Sequence, residues 1–301
     1  IFGLFNAFTK VISAASKKEV RHIIGIYFYP YGILSILVSK ITNKKSIISL
    51  IGTDWDEFTN KPANPINNSL TKYLSIQLLK LADFVTVTGQ KSKNLITNLG
   101  ISKNKVYALP NPIDPKFFDS EAKGQKDYDI LFVGTLTREK RVQTVLFISK
   151  LVKNFIPNLK VCIVGIGPLE SQLRELSAKL ELEDNIEFAG YTENIMHKMI
   201  KSKILLSVSE QEGLPTVAIE AMACGLSVVC SNVGDVEDLI EDSLDGFLLD
   251  DYNDLVGFSA KIISILSNDE IRKIISRRAS KKAFSFVSES RTVWSEIFKE
   301  S

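Results

Sequence analysis

The sequence contains few residues of the types that build metal centres or disulfide frameworks. Its 301 residues include three cysteines and two histidines. Cys162, Cys224 and Cys230 lie in apolar runs without a Cys-x-x-Cys pair, a pattern that favours small buried thiols in a reducing compartment over disulfides. His22 and His197 have no cysteine or acidic cluster beside them. The sequence therefore predicts no metal site.

A long apolar segment is also missing. The longest uncharged stretch, residues 23–38, is interrupted by Pro30, Tyr31 and Gly32, and it is shorter than the roughly 20 apolar residues that a membrane-spanning helix needs. No signal peptide is visible, so we expect a cytoplasmic protein. Because the chain begins with Ile1 and enters a helical pattern at once, we expect its true N-terminus to lie further upstream.

Neither sign of charge dominates the chain. The 37 Lys and Arg residues against 35 Asp and Glu residues give a net charge of +2, which argues against a nucleic-acid partner. Residues 1–125 nevertheless carry a net charge of +8, and residues 126–301 carry −6. The simpler interpretation is solvated surface lysines. The alternative is a basic first half that faces an anionic membrane or a phosphorylated acceptor.

Short apolar runs alternate with amphipathic segments along the chain, which predicts a parallel α/β architecture. A helix predicted over 141–155 illustrates the amphipathic segments, since its apolar residues recur on one face. The apolar side of that helix consists of Val142, Val145, Leu146, Ser149 and Val152. The predicted strands are Ile23–Tyr29, Ser46–Leu50, Phe84–Thr88, Val106–Leu109, Asp129–Val133, Lys160–Val164, Ile186–Phe188, Ile204–Val208 and Ser227–Cys230.

A linker interrupts this alternation. Residues 111–129 contain two prolines, a glycine and mixed charge without any period. We therefore predict an N-terminal domain over 1–120 that is truncated at its start, a second domain over 121–285, and a C-terminal helix over 286–301 that packs back on the first domain. Because open α/β sheets bind ligands at the carboxyl ends of their strands, a shared site would lie in a cleft between the domains.

Two glutamates flank a loop that turns into a helix in the segment SEQEGLPTVAIEAMACG, residues 209–225. Pro215 suits a first helical turn, and the backbone N–H groups there form an anion site. Glu212 precedes this helix and Glu220 lies inside it, and carboxylates accept hydrogen bonds from hydroxyls. A nucleotide-sugar would satisfy both acids and the helix end. The alternative is an ordinary loop acid and an ordinary surface residue.

Three further loops follow predicted strands. Gly134 permits a tight turn ahead of Arg138, Lys140 and Arg141, whose charge suits a diphosphate, although a solvated basic turn is an alternative. Gly165 and Gly167 are weakly similar to a dinucleotide fingerprint, but Glu170 replaces its third glycine, which disfavours a nicotinamide cofactor. Gly52 and Asp54 are candidate acceptor-side contacts or a simple turn cap. These additional candidates are Gly134, Arg138, Lys140, Arg141, Gly165, Gly167, Gly52 and Asp54.

The combined motifs resemble a known family. Residues 212–250, EGLPTVAIEAMACGLSVVCSNVGDVEDLIEDSLDGFLLD, resemble the donor-site segment of retaining GT-B glycosyltransferases of family 4. FVGTLTREKR, VGIGPLESQL, IEFAGY and LPNPIDPKFF occur in that family's order and spacing. The resemblance extends over essentially the whole chain from about residue 20. It implies a GT-B fold of two Rossmann-like doubly wound parallel-sheet domains that face a cleft.

The resemblance also implies roles for individual residues. Glu212 is similar to the acid that holds the donor sugar near the reacting carbon, and Lys140 to the phosphate-binding lysine, so these two form the expected catalytic pair. Glu220 is similar to the ribose-binding acid, and the N–H groups of residues 213–216 to the diphosphate contacts. The expected donor-binding set is Gly134, Thr135, Arg138, Gly167, Gly213, Leu214, Pro215, Thr216 and Glu220.

The chain departs from the family pattern at several positions. Thr135 occupies a position where the family usually has arginine, and Arg138 or Arg141 could substitute. Arg141 itself stands where the family has glycine, and Ile51 where it has histidine. The family's first glycine-rich strand and loop would precede Ile1 and is absent from the sequence.

The resemblance implies a retaining, metal-independent hexosyltransferase. Its co-substrate would be a nucleotide diphosphate sugar, with no other cofactor, and its acceptor a hydroxyl of a glycan or lipid-linked molecule in cell-surface polysaccharide or glycolipid synthesis. We expect a cytoplasmic enzyme that is peripheral on the inner face of the cell membrane. One alternative is a catalytically impaired nucleotide-sugar-binding subunit that supports a partner. Another is a GT-B sugar-nucleotide epimerase, which the scarcity of histidines disfavours.

Overall fold

The computed structural model describes residues 2–52, 69–119 and 126–299. The chain divides into two compact units. The first unit comprises residues 1–111 together with 289–301, and the second comprises residues 112–288. Each unit has its own parallel sheet, so the α/β fold class with two such sheets is confirmed.

The first unit contains a four-stranded parallel sheet in which the strands lie side by side in chain order. Its strands are β1 (His22–Ile26), β2 (Lys45–Ser49), β3 (Phe84–Val87) and β4 (Val106–Ala108). The helices of this unit are α1 (Phe2–Ala15), α2 (Ile33–Thr42), α3 (Ser69–Lys80) and α4 (Gln90–Asn98). One face of the sheet buries a core that includes Phe28, Ile36 and Val85.

The second unit contains a six-stranded parallel sheet in the order β10-β9-β8-β5-β6-β7. Its strands are β5 (Tyr128–Val133), β6 (Val161–Val164), β7 (Ile186–Gly190), β8 (Ser202–Ser207), β9 (Ser227–Ser231) and β10 (Phe247–Leu249). Its helices are α5 (Lys116–Asp119), α6 (Val142–Lys153), α7 (Glu170–Lys179), α8 (Ile195–Ile200), α9 (Thr216–Ala223), α10 (Val236–Leu239), α11 (Leu255–Leu266) and the start of α12 (Asp269–Lys299).

Helices cover both faces of this sheet. Buried residues of α6, α7 and α11 form one apolar core against it, and those of α8, α9, α10 and α12 form another on the opposite face. The first strand, β5, lies between β6 and β8, so the chain winds one way through β7 and then the other way through β10. The strand order therefore reverses between β5 and β8, which is where doubly wound sheets bind ligands.

The end of α12 belongs to the first unit. Its Ile297 is fully buried against Ile47, Phe84 and Leu109 on the second face of the four-stranded sheet. Trp294 stacks on Phe298 within the same helix, with 5.6 Å between ring centroids. Long apolar side chains on one side of the helix thus complete the sheet's second core.

All nine predicted strands are present, with boundaries that shift by a few residues. The predicted end of the first strand is wrong. The strand expected over Ile23–Tyr29 ends at Ile26 because Tyr27 adopts a left-handed backbone (φ 65°) and residues 28–32 form a helical turn. That turn buries Phe28 completely. Strand β10 was not predicted, since its three apolar residues are too few to form a recognisable run.

Two predictions about buried residues are confirmed. The five residues expected on the inner face of α6 are all buried, although the helix spans Val142–Lys153 rather than 141–155. The three cysteines are free and buried. Among the described residues, no helix combines the length and the apolar character that crossing a membrane requires.

Candidate active site

The candidate site lies where the two central strands of the second unit end. Strands β5 and β8 pair in parallel, with Ile130 opposite Ile204, so their carboxyl ends lie side by side. The loop after β5 and the loop after β8 are joined by a hydrogen bond of 3.0 Å from the Glu210 N–H to the Glu139 carbonyl. Residues that are far apart in sequence are thereby held together at the point where the strand order reverses.

This loop pairing brings together the two residues expected to be catalytic. The Lys140 Nζ atom donates to Glu212 Oε1 at 2.5 Å. The Lys140 side chain is 31% exposed and that of Glu212 is 14% exposed. The pair is thus largely shielded from solvent, but a ligand can still contact it. A cation and an acid at one strand edge can contact a diphosphate and a neighbouring hydroxyl group, respectively.

Glycines allow the loops on the β6 side to pack closely. A Cβ atom on Gly165 would lie 1.9 Å from the Gly134 carbonyl oxygen, and one on Gly167 would lie 2.5 Å from the carbonyl oxygen of Leu136. Backbone hydrogen bonds join the same loops, from the Gly134 N–H to Val164 at 3.0 Å and from the Leu136 N–H to Ile166 at 3.0 Å. Gly134 and Gly167 therefore lie in one compact loop layer at the carboxyl edge.

A second close approach fixes the loop that carries Glu212. Gly234 has φ 63°, and a Cβ atom there would lie 2.0 Å from the Gly213 carbonyl oxygen and 2.3 Å from that of Glu212. The Asp235 N–H donates to the same Gly213 oxygen at 2.7 Å. Sequence reasoning missed both supporting residues. The glycine in the turn after β9 was the signal that could have found them.

The amino end of α9 lies directly after this loop. The helix begins at Thr216, and its N-cap residue Pro215 is extended (φ −67°, ψ 110°) and supplies no capping hydrogen bond. Leu214 is buried, which places the preceding backbone against the core. The backbone N–H groups at a helix amino end favour a negatively charged group nearby.

Glu220 lies one turn inside α9 and is half-buried. Burial raises the pKa of its carboxyl group to about 7. Within the described part of the chain, no side chain forms a hydrogen bond or ion pair with this carboxyl group. A desolvated acid without a protein partner is suited to accept hydrogen bonds from ligand hydroxyls.

The two arginines after Gly134 occupy a different groove. Arg138 and Arg141 line a cavity of about 470 Å³. The Arg141 guanidinium donates to Asn253 Oδ1 at 2.5 Å and lies 4.6 Å from the ring centroid of Tyr252. The structure thus pairs Arg141 with Asn253 rather than with Glu212. Thr135, at the position where arginine was expected, is exposed.

The acceptor-side candidates lie in the first unit. Gly52 follows β2 and has φ 63°, whereas Asp54 lies outside the described residues. The described residues contain no group of three or more His, Cys, Asp and Glu side chains that could hold a metal ion.

Comparison with known proteins places these features in one class. The two parallel sheets are those of GT-B glycosyltransferases. Residues 114–282, which include Lys140, Glu212 and Glu220, match the family described as glycosyl transferases group 1, and the chain belongs to this family.

Individual relatives are similar over most of the chain. N-acetyl-alpha-D-glucosaminyl L-malate synthase of Bacillus anthracis is 24% identical, over 97% of this chain and 79% of its own length. The Campylobacter jejuni GalNAc-alpha-(1->4)-GalNAc-alpha-(1->3)-diNAcBac-PP-undecaprenol alpha-1,4-N-acetyl-D-galactosaminyltransferase is 31% identical, over 94% of this chain and 76% of its own length. The crystal structure of Anabaena HepE in complex with UDP superimposes with a TM-score of 0.77 at 18% identity, over 98% of this chain and 82% of that one.

Proposed function

We propose that the protein transfers a sugar from a nucleotide diphosphate sugar to a hydroxyl group of a glycan or lipid-linked acceptor, with retention at the reacting carbon. The observation that carries this proposal is the contact between Lys140 and Glu212 beside the amino end of α9. These groups offer one cation, one acid and a helix amino end within a single loop layer. A donor with a central diphosphate and flanking hydroxyl groups matches that chemistry.

The diphosphate end of the donor is assigned to Lys140 and α9. Negative charge accumulates on the diphosphate as its bond to the sugar breaks, and a preorganised cation and helix end stabilise that charge most in the transition state. Glu212 exchanges its bond to Lys140 for a hydroxyl of the sugar. Its position next to the phosphate-binding cation puts the acid beside the carbon that reacts.

Retention follows from attack on the face that the diphosphate leaves. The bond from the sugar carbon to the diphosphate oxygen breaks, and a bond from that carbon to the acceptor oxygen forms on the same side. The acceptor proton passes to the departing diphosphate. In this scheme the transfer needs no metal ion and no covalent enzyme intermediate.

The ribose end of the donor is assigned to Glu220. Its half-buried carboxyl group has no hydrogen-bond partner among the described residues, and ribose supplies two hydroxyl donors. We propose uracil as the base, because HepE is described in complex with UDP. We propose an N-acetylhexosamine as the sugar, because the names of both relatives include such a sugar.

The acceptor is proposed to be lipid-linked. One relative is named for a diphospho-undecaprenol-linked substrate, and the first 125 residues of this chain carry a net charge of +8. A basic surface is attracted to anionic lipid. We therefore place the enzyme on the inner face of the membrane, in cell-surface glycan synthesis.

Nucleotide release tests the proposal. UDP release is measured with UDP-N-acetylhexosamines and a membrane lipid extract as the acceptor, for the wild type, for Glu212→Gln and for Glu175→Gln. Glu175 is an exposed acid of α7 and serves as the control. We expect the first substitution to reduce turnover at least about 100-fold and the second to leave it unchanged. UDP binding without any turnover that depends on Glu212 would instead favour a nucleotide-sugar-binding subunit.

A further inference from the structure

A basic cavity lies in the first unit, whereas the site described above belongs to the second unit. Its volume is about 420 Å³, within the usual range for small-molecule sites. The charged residues that line it are Lys18, Arg21, Lys40, Lys44, Lys45 and Asp83. Five cations thus surround a single acid.

The cavity lies at the amino edge of the four-stranded sheet. Arg21 immediately precedes β1, Lys45 is the first residue of β2, and Asp83 immediately precedes β3. Because the strands are parallel, these ends share one edge, and a five-residue strand puts the carboxyl edge roughly 16 Å away. Substrates of open α/β sheets bind at the carboxyl edge, so this cavity is a separate feature.

The acid in the cavity is already engaged. Asp83 Oδ2 accepts hydrogen bonds from the Ser46 N–H and hydroxyl, both at 3.0 Å. Its carboxylate also lies 3.5 Å from Lys40 Nζ and 3.6 Å from Lys45 Nζ. Burial alone would raise the pKa of Asp83. The hydrogen bonds from Ser46 and the two lysines lower it by more, so the pKa lies below its ordinary value. Asp83 is therefore a fixed anion that compensates part of the charge of two lysines.

The other three cations have no ion-pair partner among the residues that the structure describes. Lys18 and Arg21 form no ion pair or side-chain hydrogen bond with any residue that the structure describes. Lys44 Nζ donates only to the Lys17 carbonyl, at 3.3 Å. The neighbouring His22 responds to this excess, since burial and then the charges of Arg21 and Lys45 lower its pKa. Cations thus outnumber acids on the concave surface of this cavity.

We propose that this cavity binds the phosphate groups of a ligand. One arginine and several lysines converge there, which matches an anion of two or more charges better than a single carboxylate. Two sources carry this chemistry, namely the headgroup of an anionic membrane lipid and a soluble diphosphate. The lipid version extends the membrane part of the proposed function but does not depend on the transfer chemistry.

Apolar side chains beside the cavity favour the lipid source. Leu37 and Ile41 lie one turn apart on α2 and are 43% and 61% exposed. They flank Lys40, whose side chain lines the cavity. Apolar side chains next to basic ones are typical of surfaces that rest in the headgroup region of a bilayer.

Vesicle binding with charge-matched variants tests the site. Lys18→Gln, Arg21→Gln and Lys44→Gln are combined, because none of these side chains forms an ion pair among the described residues. The control combines Lys179→Gln, Arg278→Gln and Lys281→Gln, which remove the same residue types from exposed positions of the second unit. Binding is measured to vesicles of phosphatidylcholine alone and with phosphatidic acid. We expect the cavity triple to lose roughly 100-fold in binding to acidic vesicles, and the control triple to stay near the wild type.

A soluble arm distinguishes the two sources. Thermal shift with pyrophosphate is measured on a Lys140→Gln background, which removes the donor-site cation, with the cavity triple, with the control triple and with neither. A pyrophosphate shift that the triple abolishes, without acidic-vesicle binding, assigns the cavity to a soluble ligand. Equal behaviour of the two triples in both arms would overturn the proposal. Turnover measured with a soluble acceptor should be unchanged in the cavity triple. The cavity proposal and the proposed transfer reaction can therefore be refuted separately.

Discussion

Lys140 and Glu212 are separated by 72 positions in the sequence, and their side chains meet at 2.5 Å. The contact exists because the strands before their loops, β5 and β8, are neighbours in the sheet although two other strands come between them in the chain. Without a ligand, the acid partly neutralises the cation. Under the proposed function, a nucleotide-sugar would divide the pair, with phosphate oxygens at Lys140 and a sugar hydroxyl at Glu212.

The two members of this pair should respond oppositely when UDP alone is the ligand. Lys140→Gln removes a charged hydrogen-bond donor to the diphosphate and should weaken UDP binding roughly 10- to 100-fold. Glu212→Gln removes the group that competes for Lys140, so UDP affinity should stay constant or rise up to about tenfold. Titration calorimetry with UDP measures both effects, and Glu175→Gln is the control for loss of an acid. An equal loss of UDP affinity in both variants would assign Glu212 to the nucleotide rather than to the sugar.

Glu220 should make stability depend on pH. Its pKa is about 7 in the folded protein, against an ordinary value of 4.5, so the folded state holds a proton that the unfolded state has lost between these values. The free energy of unfolding should therefore fall as pH rises from about 4.5 to about 7, by at most about 3 kcal/mol. Urea denaturation of the wild type and of Glu220→Gln at about pH 5 and about pH 8 measures this difference.

The same titration should affect nucleotide binding. Ribose hydroxyls donate to an ionised carboxylate more strongly than to a neutral one, so UDP affinity should rise with pH through about 7. The diphosphate also titrates, and Glu220→Gln corrects for that contribution. If the pH profiles of UDP affinity in the two proteins run parallel, Glu220 does not contact the ribose.

The sequence indicated the strands and candidate residues of the site, but it did not indicate which of these residues contact one another. Short apolar runs identified the central strands, because a parallel sheet buries them on both faces. The loop motifs indicated Lys140, Glu212 and Glu220 one by one as candidate residues. Their pairing depends on strand order, which no local pattern encodes. The basic cavity could not be predicted from the sequence for a related reason. Lys18 and Asp83 come together only through the parallel alignment of three strands.

Gly234 illustrates a contact that only the fold supplies. Ala at this position would place its Cβ atom 2.0 Å from the Gly213 carbonyl oxygen, so the loop that carries Glu212 would have to move. Gly225 provides the control, because its φ of 73° is similar but no heavy atom lies within 4 Å of a Cβ there. In both alanine variants the free energy of unfolding should fall by about 1–2 kcal/mol, because a residue with a Cβ atom is strained in the left-handed conformation.

Only Gly234→Ala should also reduce UDP release, by roughly 10-fold or more, because displacement of a catalytic group by about 1 Å has effects of that size. Turnover is measured at a temperature where circular dichroism gives both variants as folded. Equal turnover in the two variants would mean that the Glu212 loop tolerates the displacement.

At Arg141 we expect glycine to give a more stable protein than alanine, the reverse of the usual preference in a helix. It is the N-cap of α6 and has φ 50°, a conformation that costs residues other than glycine roughly 1–2 kcal/mol. Its side chain offsets part of that cost through Asn253 and Tyr252. Arg141→Ala retains the strain and loses the contacts, whereas Arg141→Gly loses both. The glycine variant should therefore be more stable than the alanine variant by about 1 kcal/mol.

Gln143 is the matched control for this reversal. It is an exposed residue in the first turn of the same helix, where alanine should exceed glycine in stability by roughly 0.5–1 kcal/mol. Urea denaturation of the four variants gives both differences. Because glycine keeps the backbone turn that aims Lys140 at Glu212, Arg141→Gly should bind UDP within about threefold of the wild type. A large loss of UDP affinity in Arg141→Gly would instead show that the guanidinium, and not only the backbone turn, holds Lys140 in place.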